Sequence, residues 1–375
     1  MAVKKRDSVK ELPVYTESEL DQVKQALRKK LGDAAMLRAT EVRQPYRIPT
    51  GIFIFDLLTL GGFAQGRFSL LDGVKHSGKT TLALRAAAGA QRSMPDQRVV
   101  WIDVERAFDT VWASKHRVDA DRLELVQLTV GEEVVDVAEA VTRARDVSLV
   151  VVDSLAGMAP TKEIKDGAGD ANVGLQAKLI NTMMRKLTAA MSIESRRGHQ
   201  PAIIMLNQQR VKIGGWSPTG EPLAPPGGKA PEFFSSLSVT LKNKENMAKI
   251  DGRDVLSVNE HAFTIKKNRM NGGGRTGEFR MMRRADPELG LNEGDIDDAG
   301  TMLVFAARNG WYTGGGRSWR LEYGEVSQQF GNRDEAVKYL YENADAYSDL
   351  RRNLIATEAQ EQGMPDEFIE YLLTS

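Results

Sequence analysis

The run Gly73-Val-Lys-His-Ser-Gly78-Lys79-Thr80 constrains this chain more than any other feature. It fits G-x-x-x-x-G-K-[ST], follows an apolar stretch ending at Leu71 and opens a helical pattern over Thr80–Arg92. Strand, glycine-rich turn and helix N-terminus in that order make a phosphate cradle. The glycines let backbone N–H groups point inward, and the helix terminus adds a favourable field for an anion. Lys79 offers a positive charge to the outer phosphates, and the Thr80 hydroxyl suits a Mg²⁺ ion. Val74, Lys75, His76, Ser77 and Thr81 complete the contact segment.

Short apolar runs at Arg67–Asp72, Val99–Asp103, Leu123–Leu128, Ser148–Asp153 and Ala202–Asn207 read as buried strands. Helical patterns lie between them, as at Val134–Arg145. That alternation predicts a parallel sheet covered by helices, with ligands at the carboxyl ends of its strands. Three strand ends carry polar groups suited to a triphosphate. Asp153 ends an all-apolar run and suits metal binding, although a strand-terminal Asp is often a turn former. Glu105, with Asp103 as rival, can orient an attacking water. The amides of Asn207 and Gln208 can bond a γ-phosphate and shift when it leaves, or simply cap a strand.

Lysine plus arginine and aspartate plus glutamate both number 51, so the net charge is zero. Any nucleic-acid contact must then come from local basic clusters. The absence of cysteine excludes disulfides and thiolate metal sites and is compatible with a cytoplasmic protein. No apolar run of about 18 residues predicts a membrane span.

The chain divides into three expected parts: residues 1–45, 46–285 and 286–375. In the first, Leu20, Val23, Leu27 and Leu31 mark one helix face, with Thr16 and Glu19 as a capping box and Gly32 as the stop. Its apolar stripe packs either on its own domain or on a neighbouring subunit. In the second, about 161–173 and 209–228 are long Gly- and Pro-rich loops of the functional kind. Strands are expected around the glycine turn at 271–274. The third holds a helix near 297–309, an aromatic hairpin near 311–323 and a helix near 334–343.

These elements, in this order, resemble the bacterial RecA recombinase family. HSGKTTLAL resembles its phosphate loop, WIDVERAFD its catalytic-glutamate segment and VVVDSLAGM its Walker B strand. GDANVGLQAK and MRKL resemble its first DNA loop and the following helix, and LNQQRVKIG its sensor amide and second DNA loop. GDIDDAG, NGWY and AVKYLYEN are similar to its C-terminal domain. The resemblance implies a RecA-like P-loop core, with an N-terminal helix and a small C-terminal α+β domain. It implies ATP and Mg²⁺ as cofactors, single-stranded and duplex DNA as partners, and a homo-oligomeric helical filament that hydrolyses ATP.

Individual roles follow from the resemblance. It favours Glu105 over Asp103 as the catalytic carboxylate and makes Gln208 the γ-phosphate sensor. Asp109 and Trp112 would border the adenine. Val173 and Ile213 would wedge between bases, while Lys178, Arg185, Arg210 and Lys212 contact the DNA backbone. Phe233 would lie at the subunit interface, and Lys267 and Arg269 would reach the neighbour's ATP. The helix bearing Leu20, Val23 and Leu27 would dock on the next protomer. On composition alone, Lys178 and Arg185 are ordinary solvated helix charges.

The chain also departs from the family pattern. Val74, Lys75 and His76 stand where Pro, Glu and Ser are usual, and Gln209 replaces an apolar residue. Arg269 replaces a lysine, which changes hydrogen-bond geometry. Two rival readings use the same motifs: a ring-forming RecA-fold motor, and a DNA-binding scaffold that binds ATP with little turnover.

Overall fold

The computed structural model describes residues 19–32, 36–166, 174–211, 223–224, 227–250 and 253–374. Helix α1 (Leu20–Leu31) is stopped by Gly32 at φ 95°, a left-handed value that favours glycine. Thr16 lies outside the described residues, and Glu19 makes no side-chain cap bond. Arg28 and Lys24 tie the helix through Glu41 to the segment that follows. No residue of α1 is buried, and Leu20 is 56% exposed. Along the apolar stripe Leu20 and Leu31 are exposed while Val23 and Leu27 are half-buried, so among the described residues it is only partly covered.

Strand β1 (Arg47–Ile48), helix α2 (Phe53–Thr59) and strand β2 (Phe63–Ala64) lead into the alternating region. That region runs β3 (Phe68–Gly73), α3 (Lys79–Ser93), β4 (Arg98–Asp103), α4 (Thr110–Lys115), β5 (Leu123–Gln127) and α5 (Gly131–Thr142). It continues with β6 (Val147–Asp153), α6 (Thr161–Lys165), α7 (Leu175–Ser195) and β7 (Ala202–Gln208). Strands β8 (Arg210–Val211) and β9 (Leu223–Ala224) pair with each other. After α8 (Ala230–Phe234) come the long strands β10 (Leu237–Ile250) and β11 (Arg253–Asn268), then β12 (Arg275–Met282) and β13 (Ile296–Asp297). The chain ends with α9 (Ala299–Arg308), the three-stranded sheet β14 (Tyr312–Gly315), β15 (Ser318–Tyr323), β16 (Val326–Phe330), and helices α10 (Arg333–Glu342), α11 (Ala344–Glu361) and α12 (Asp366–Thr374).

Among the described residues, nine strands form one sheet in the order β13-β12-β11-β10-β3-β7-β6-β4-β5. From β10 to β5 neighbours are parallel, and from β10 to β13 antiparallel. The central strands have a side-chain period of two with both faces buried, which explains their unbroken apolar runs. Leu70, Val100, Ile102, Val150, Val152, Ile203 and Met205 face α5 and α7. Leu71, Val99, Trp101, Leu149, Val151, Ile204 and Leu206 face α3 and the C-terminal elements. Helix α7 buries Ile180, Met183, Met184 and Leu187 on this sheet, each worth roughly 1.5–3 kcal/mol of apolar transfer.

The five expected strands are present within one or two residues. Strand β5 is not buried as expected: among the described residues it is the sheet edge, paired with β4 alone, and Glu124, Leu125 and Gln127 are exposed. Helix α5 starts at Gly131, earlier than its apolar pattern, because Glu132 and Glu133 supply favourable charge to the first turn. A short helix, α6, occupies the start of the expected first loop. Its first residue is held by Glu132, which accepts from Thr161 N at 2.8 Å.

Residues beyond 286 share one apolar cluster with the core, where Leu303, Leu350, Leu354 and Phe368 join Phe53, Phe55 and Leu57. A buried polar network fastens the same contact. Asp56, fully buried, accepts from Thr50 N, Thr50 Oγ1 and Gly51 N, and forms an ion pair with Arg351 of α11. Asp298 accepts from Phe53 N at 2.8 Å. Tyr371 Oη of α12 donates to Arg47 O at 2.8 Å and accepts from Arg47 N at 3.1 Å.

Candidate nucleotide site and the two edges of the sheet

Strand β3 ends in the glycine-rich loop at the carboxyl edge of the sheet. Gly78 has φ 97°, and a Cβ there would lie 2.6 Å from His261 Nδ1, so only glycine fits. His261 of β11 supports the loop from below, with Nδ1 3.1 Å from Ser77 O. Burial lowers its imidazole pKa to about 4, so the ring is neutral at physiological pH. Val74, Lys75 and His76 form the exposed tip; Ser77, Lys79 and Thr81 are buried and Thr80 is exposed.

Lys79 Nζ donates to Gly73 O at 3.0 Å, Val74 O at 2.7 Å and Ser77 Oγ at 3.3 Å. Burial draws its ammonium below the usual lysine range, against the pull of Asp153, Asp72 and Glu105. Thr80 Oγ1 lies 3.4 Å from Asp153 Oδ2. Desolvation, then the neighbouring Glu105 and Asp103 carboxylates, pushes the Asp153 carboxyl up to about 7. A hydroxyl beside a carboxylate in a crowded negative field is a donor set that a Mg²⁺ ion fits.

The rival carboxylates at the end of β4 differ in what they touch. Asp103 is 2% exposed and accepts from Ala107 N at 3.1 Å, Phe108 N at 3.0 Å and Gln127 Nε2 at 3.1 Å. It is occupied in shaping the turn. Glu105 is exposed, and its Oε1 accepts from the Ser154 hydroxyl next to Asp153.

A cavity of about 120 Å³ beside α3 brings together Thr80, Glu105, Asp109, Trp112 and Asp153. Asp109 caps α4, accepting from Val111 N at 2.8 Å and Trp112 N at 3.0 Å. This fixes Trp112 at the cavity wall. Arg283 lies over the indole at 4.9 Å and Lys115 at 5.9 Å. Lys115 is three residues along the same helix, whereas Arg283 has no local sequence signal, since it arrives from beyond β12.

Gln208 ends β7 directly opposite Gly73, and Gln209 N donates to Gly73 O at 3.1 Å. The Gln209 side chain donates to Asp72 Oδ2. This pair, and His261 beneath the loop, had no signal in the sequence because each joins residues more than 100 positions apart.

Phe233, Lys267 and Arg269 occupy the opposite, amino edge of the sheet. Leu237 of β10 pairs with Ser69 and Asn268, whereas Leu241 pairs with Gly73. The two levels are roughly 13 Å apart at about 3.3 Å per residue. Lys267 Nζ donates to Glu232 O at 2.7 Å and Phe233 O at 2.9 Å, and Arg269 donates to Phe233 O at 3.1 Å. Phe233 itself is 69% exposed. A groove of about 1420 Å³ runs along this edge, lined in part by Tyr46, Phe233, Phe234 and Arg269.

Lys178 and Arg185 are exposed on α7 two turns apart, with Thr182 between them on the same face. Arg210 is described by its backbone in β8. Val173, Lys212 and Ile213 lie outside the described residues.

The model of the RecA N-terminal domain family matches residues 18–285, well over half of the chain. The chain belongs to the RecA family. It is 33% identical over 330 residues to the protein RecA of Mycobacteroides abscessus, covering 87% of this chain and 88% of that one. The protein RecA of Bacillus subtilis matches with the same identity and coverage. That of Nocardioides sp. is 32% identical over 344 residues, covering 90% and 91%. This RecA-family chain thus spans nearly the full length of its relatives. Among its described residues no helix is long and apolar enough to cross a membrane.

Proposed function

We propose that this RecA-family chain is a DNA-dependent ATPase and recombinase that polymerises head to tail on single-stranded DNA and exchanges strands with a duplex. One observation carries the reading. The phosphate loop lies at the carboxyl edge of the sheet, while Phe233, Lys267 and Arg269 lie at the amino edge of the same chain. Lys267 and Arg269 can meet a triphosphate only if it belongs to another subunit. Successive subunits stacked edge to edge form a heterologous contact that need not close.

At the carboxyl edge, Lys79 would leave its loop carbonyls for the outer phosphates, and the N–H groups of the loop would cradle them. Thr80 and Asp153 would hold Mg²⁺, which supplies charge neutralisation at the triphosphate. Glu105 would orient the attacking water, while Asp103 stays engaged with its turn. Asp109 and Trp112 would border the adenine. Gln208 would bond the γ-phosphate and pass its presence to the second loop.

Lys267 and Arg269 would complete the site from the neighbour, leaving the Phe233 carbonyl for the phosphates. Phe233 would seat on the adjoining subunit. The partly covered stripe of Leu20, Val23 and Leu27, with Leu20 exposed, supports docking of α1 on the next protomer. On the DNA side, Lys178, Arg185, Arg210 and Lys212 would neutralise phosphates and release counterions. Val173 and Ile213 would wedge between base steps.

The test is ATP turnover with and without single-stranded DNA, paired with electron microscopy and a strand-exchange assay. The reading expects DNA-stimulated turnover, helical filaments and exchange. Closed rings alone would favour a ring motor, and filaments without turnover would favour a scaffold.

A further inference from the structure

One contact at the head of the second loop leads beyond the proposed function, on which the inference rests. Gln209 is fastened twice to β3. Its backbone N–H donates to Gly73 O at 3.1 Å, and its side-chain amide donates to Asp72 Oδ2. Gly73 O also accepts from Lys79 Nζ at 3.0 Å. A single carbonyl thus serves both the ammonium of the phosphate loop and the N–H one residue before β8.

Asp72 strengthens this junction. It is 5% exposed, and its Oδ1 has no hydrogen-bond partner among the described residues. A buried carboxylate with few donors depends strongly on each one it has. Burial raises its carboxyl pKa, while the Gln209 amide, then Lys266, Lys79 and the Gly73 N–H, favour the charged form. Where the family pattern has an apolar residue, this chain has an amide aimed at a buried acid.

We propose that Asp72 and Gln209 are positioning residues that transmit the state of the phosphate loop to the second DNA loop, by a route separate from Gln208. With Lys79 on the loop carbonyls, two donors draw on the lone pairs of Gly73 O. A γ-phosphate that attracts Lys79 leaves that oxygen to the Gln209 N–H and removes a cation from the field of Asp72. The carboxylate then leans harder on the Gln209 amide, a charge-assisted bond. Both changes tighten residue 209 on β3, and Arg210 opens β8 immediately after it.

The experiment measures affinity for a fluorescent single-stranded oligonucleotide with and without a non-hydrolysable ATP analogue. The ratio of the two affinities reads the coupling directly. Gln209→Leu and Asp72→Leu should each reduce that ratio by about fivefold or more, within the usual range of coupling between sites. The double variant should be no worse than either single, because the two act as one unit. The exchanged pair Asp72→Asn/Gln209→Glu restores an amide–carboxylate bond and should recover most of the ratio, which a merely structural role would not require. An unchanged ratio in Gln209→Leu, single effects that multiply in the double, or an exchanged pair that recovers nothing overturns the inference. A parent protein whose DNA affinity ignores the nucleotide overturns the proposed function as well. A responsive parent whose Gln209→Leu variant responds to the nucleotide just as strongly overturns this inference alone.

Discussion

Gly73, the first residue of the phosphate loop, and Gln208, the last residue of β7, face each other across two parallel strands. The relationship places a strand-end amide beside the phosphate cradle and one residue before the segment leading to the second loop. Gln208→Ala should therefore bind a fluorescent ATP analogue within about twofold of the parent. Its DNA affinity should lose most of its response to nucleotide, a drop of about tenfold. Anisotropy with labelled oligonucleotide checks this; an unaltered response removes Gln208 from the sensing role.

Glu105 and Asp103 make different predictions because only one is free of the turn. Glu105→Gln should leave ATP bound and filaments long-lived, while turnover falls by about 10²–10⁴. Steady-state hydrolysis with single-stranded DNA measures it. Turnover at the parent rate would show that Glu105 does not orient the water.

Acid should destabilise the chain through its buried histidines. His116 is fully buried, and burial, then Arg85, lowers its pKa to about 3 from 6.5. A depressed folded-state value means that the unfolded chain takes up the proton first. The stability present above pH 6.5 is lost as pH falls toward 3, by about 2 kcal/mol at pH 5 for this residue. Urea unfolding of the parent and His116→Phe at pH 7 and pH 5 should show a shallower pH slope in the variant. Equal slopes would contradict it.

Arg351 joins α11 to Asp56, a carboxylate with no exposure. Arg351→Ala leaves that charge with only its backbone and hydroxyl donors, and should cost about 3–5 kcal/mol. Chemical denaturation measures the loss. A change below about 1 kcal/mol would mean that the neighbouring N–H groups alone satisfy Asp56.

Much of the fold could be read from local patterns. The strands Val147–Asp153 and Ala202–Gln208 are buried on both faces and so appear as continuous apolar runs. The phosphate loop carries its own context of strand and helix. Strand β5 misled because Leu123, Leu125 and Val126 suggest burial, whereas only the position of a strand in the sheet decides whether it is an edge. The helices α11 and α12 had weak signals, since their partners lie far away in the chain, whereas the hairpin β10–β11 is local and its first strand carries too many polar residues to read as a buried run. The same holds at the site. Lys79, Thr80 and Asp153 belong to readable motifs, but His261 and Arg283 reach it through tertiary packing alone. Resemblance named Lys267 and Arg269; the strand register then put them on the edge opposite the phosphate loop.

The central claim is that each ATP is held by one subunit and completed by the next. Mixing two inactive variants tests it most directly. Glu105→Gln lacks the water-orienting carboxylate, and Lys267→Ala/Arg269→Ala lacks the cations offered to the neighbour. Alone, each should show little DNA-stimulated turnover. Mixed in equal amounts on single-stranded DNA, roughly a quarter of the head-to-tail interfaces should combine an intact Glu105 with intact cations from the adjoining subunit. Turnover should then rise to about that fraction of the parent rate. No recovery in mixed filaments, or full activity of the Lys267→Ala/Arg269→Ala variant alone, would contradict the account.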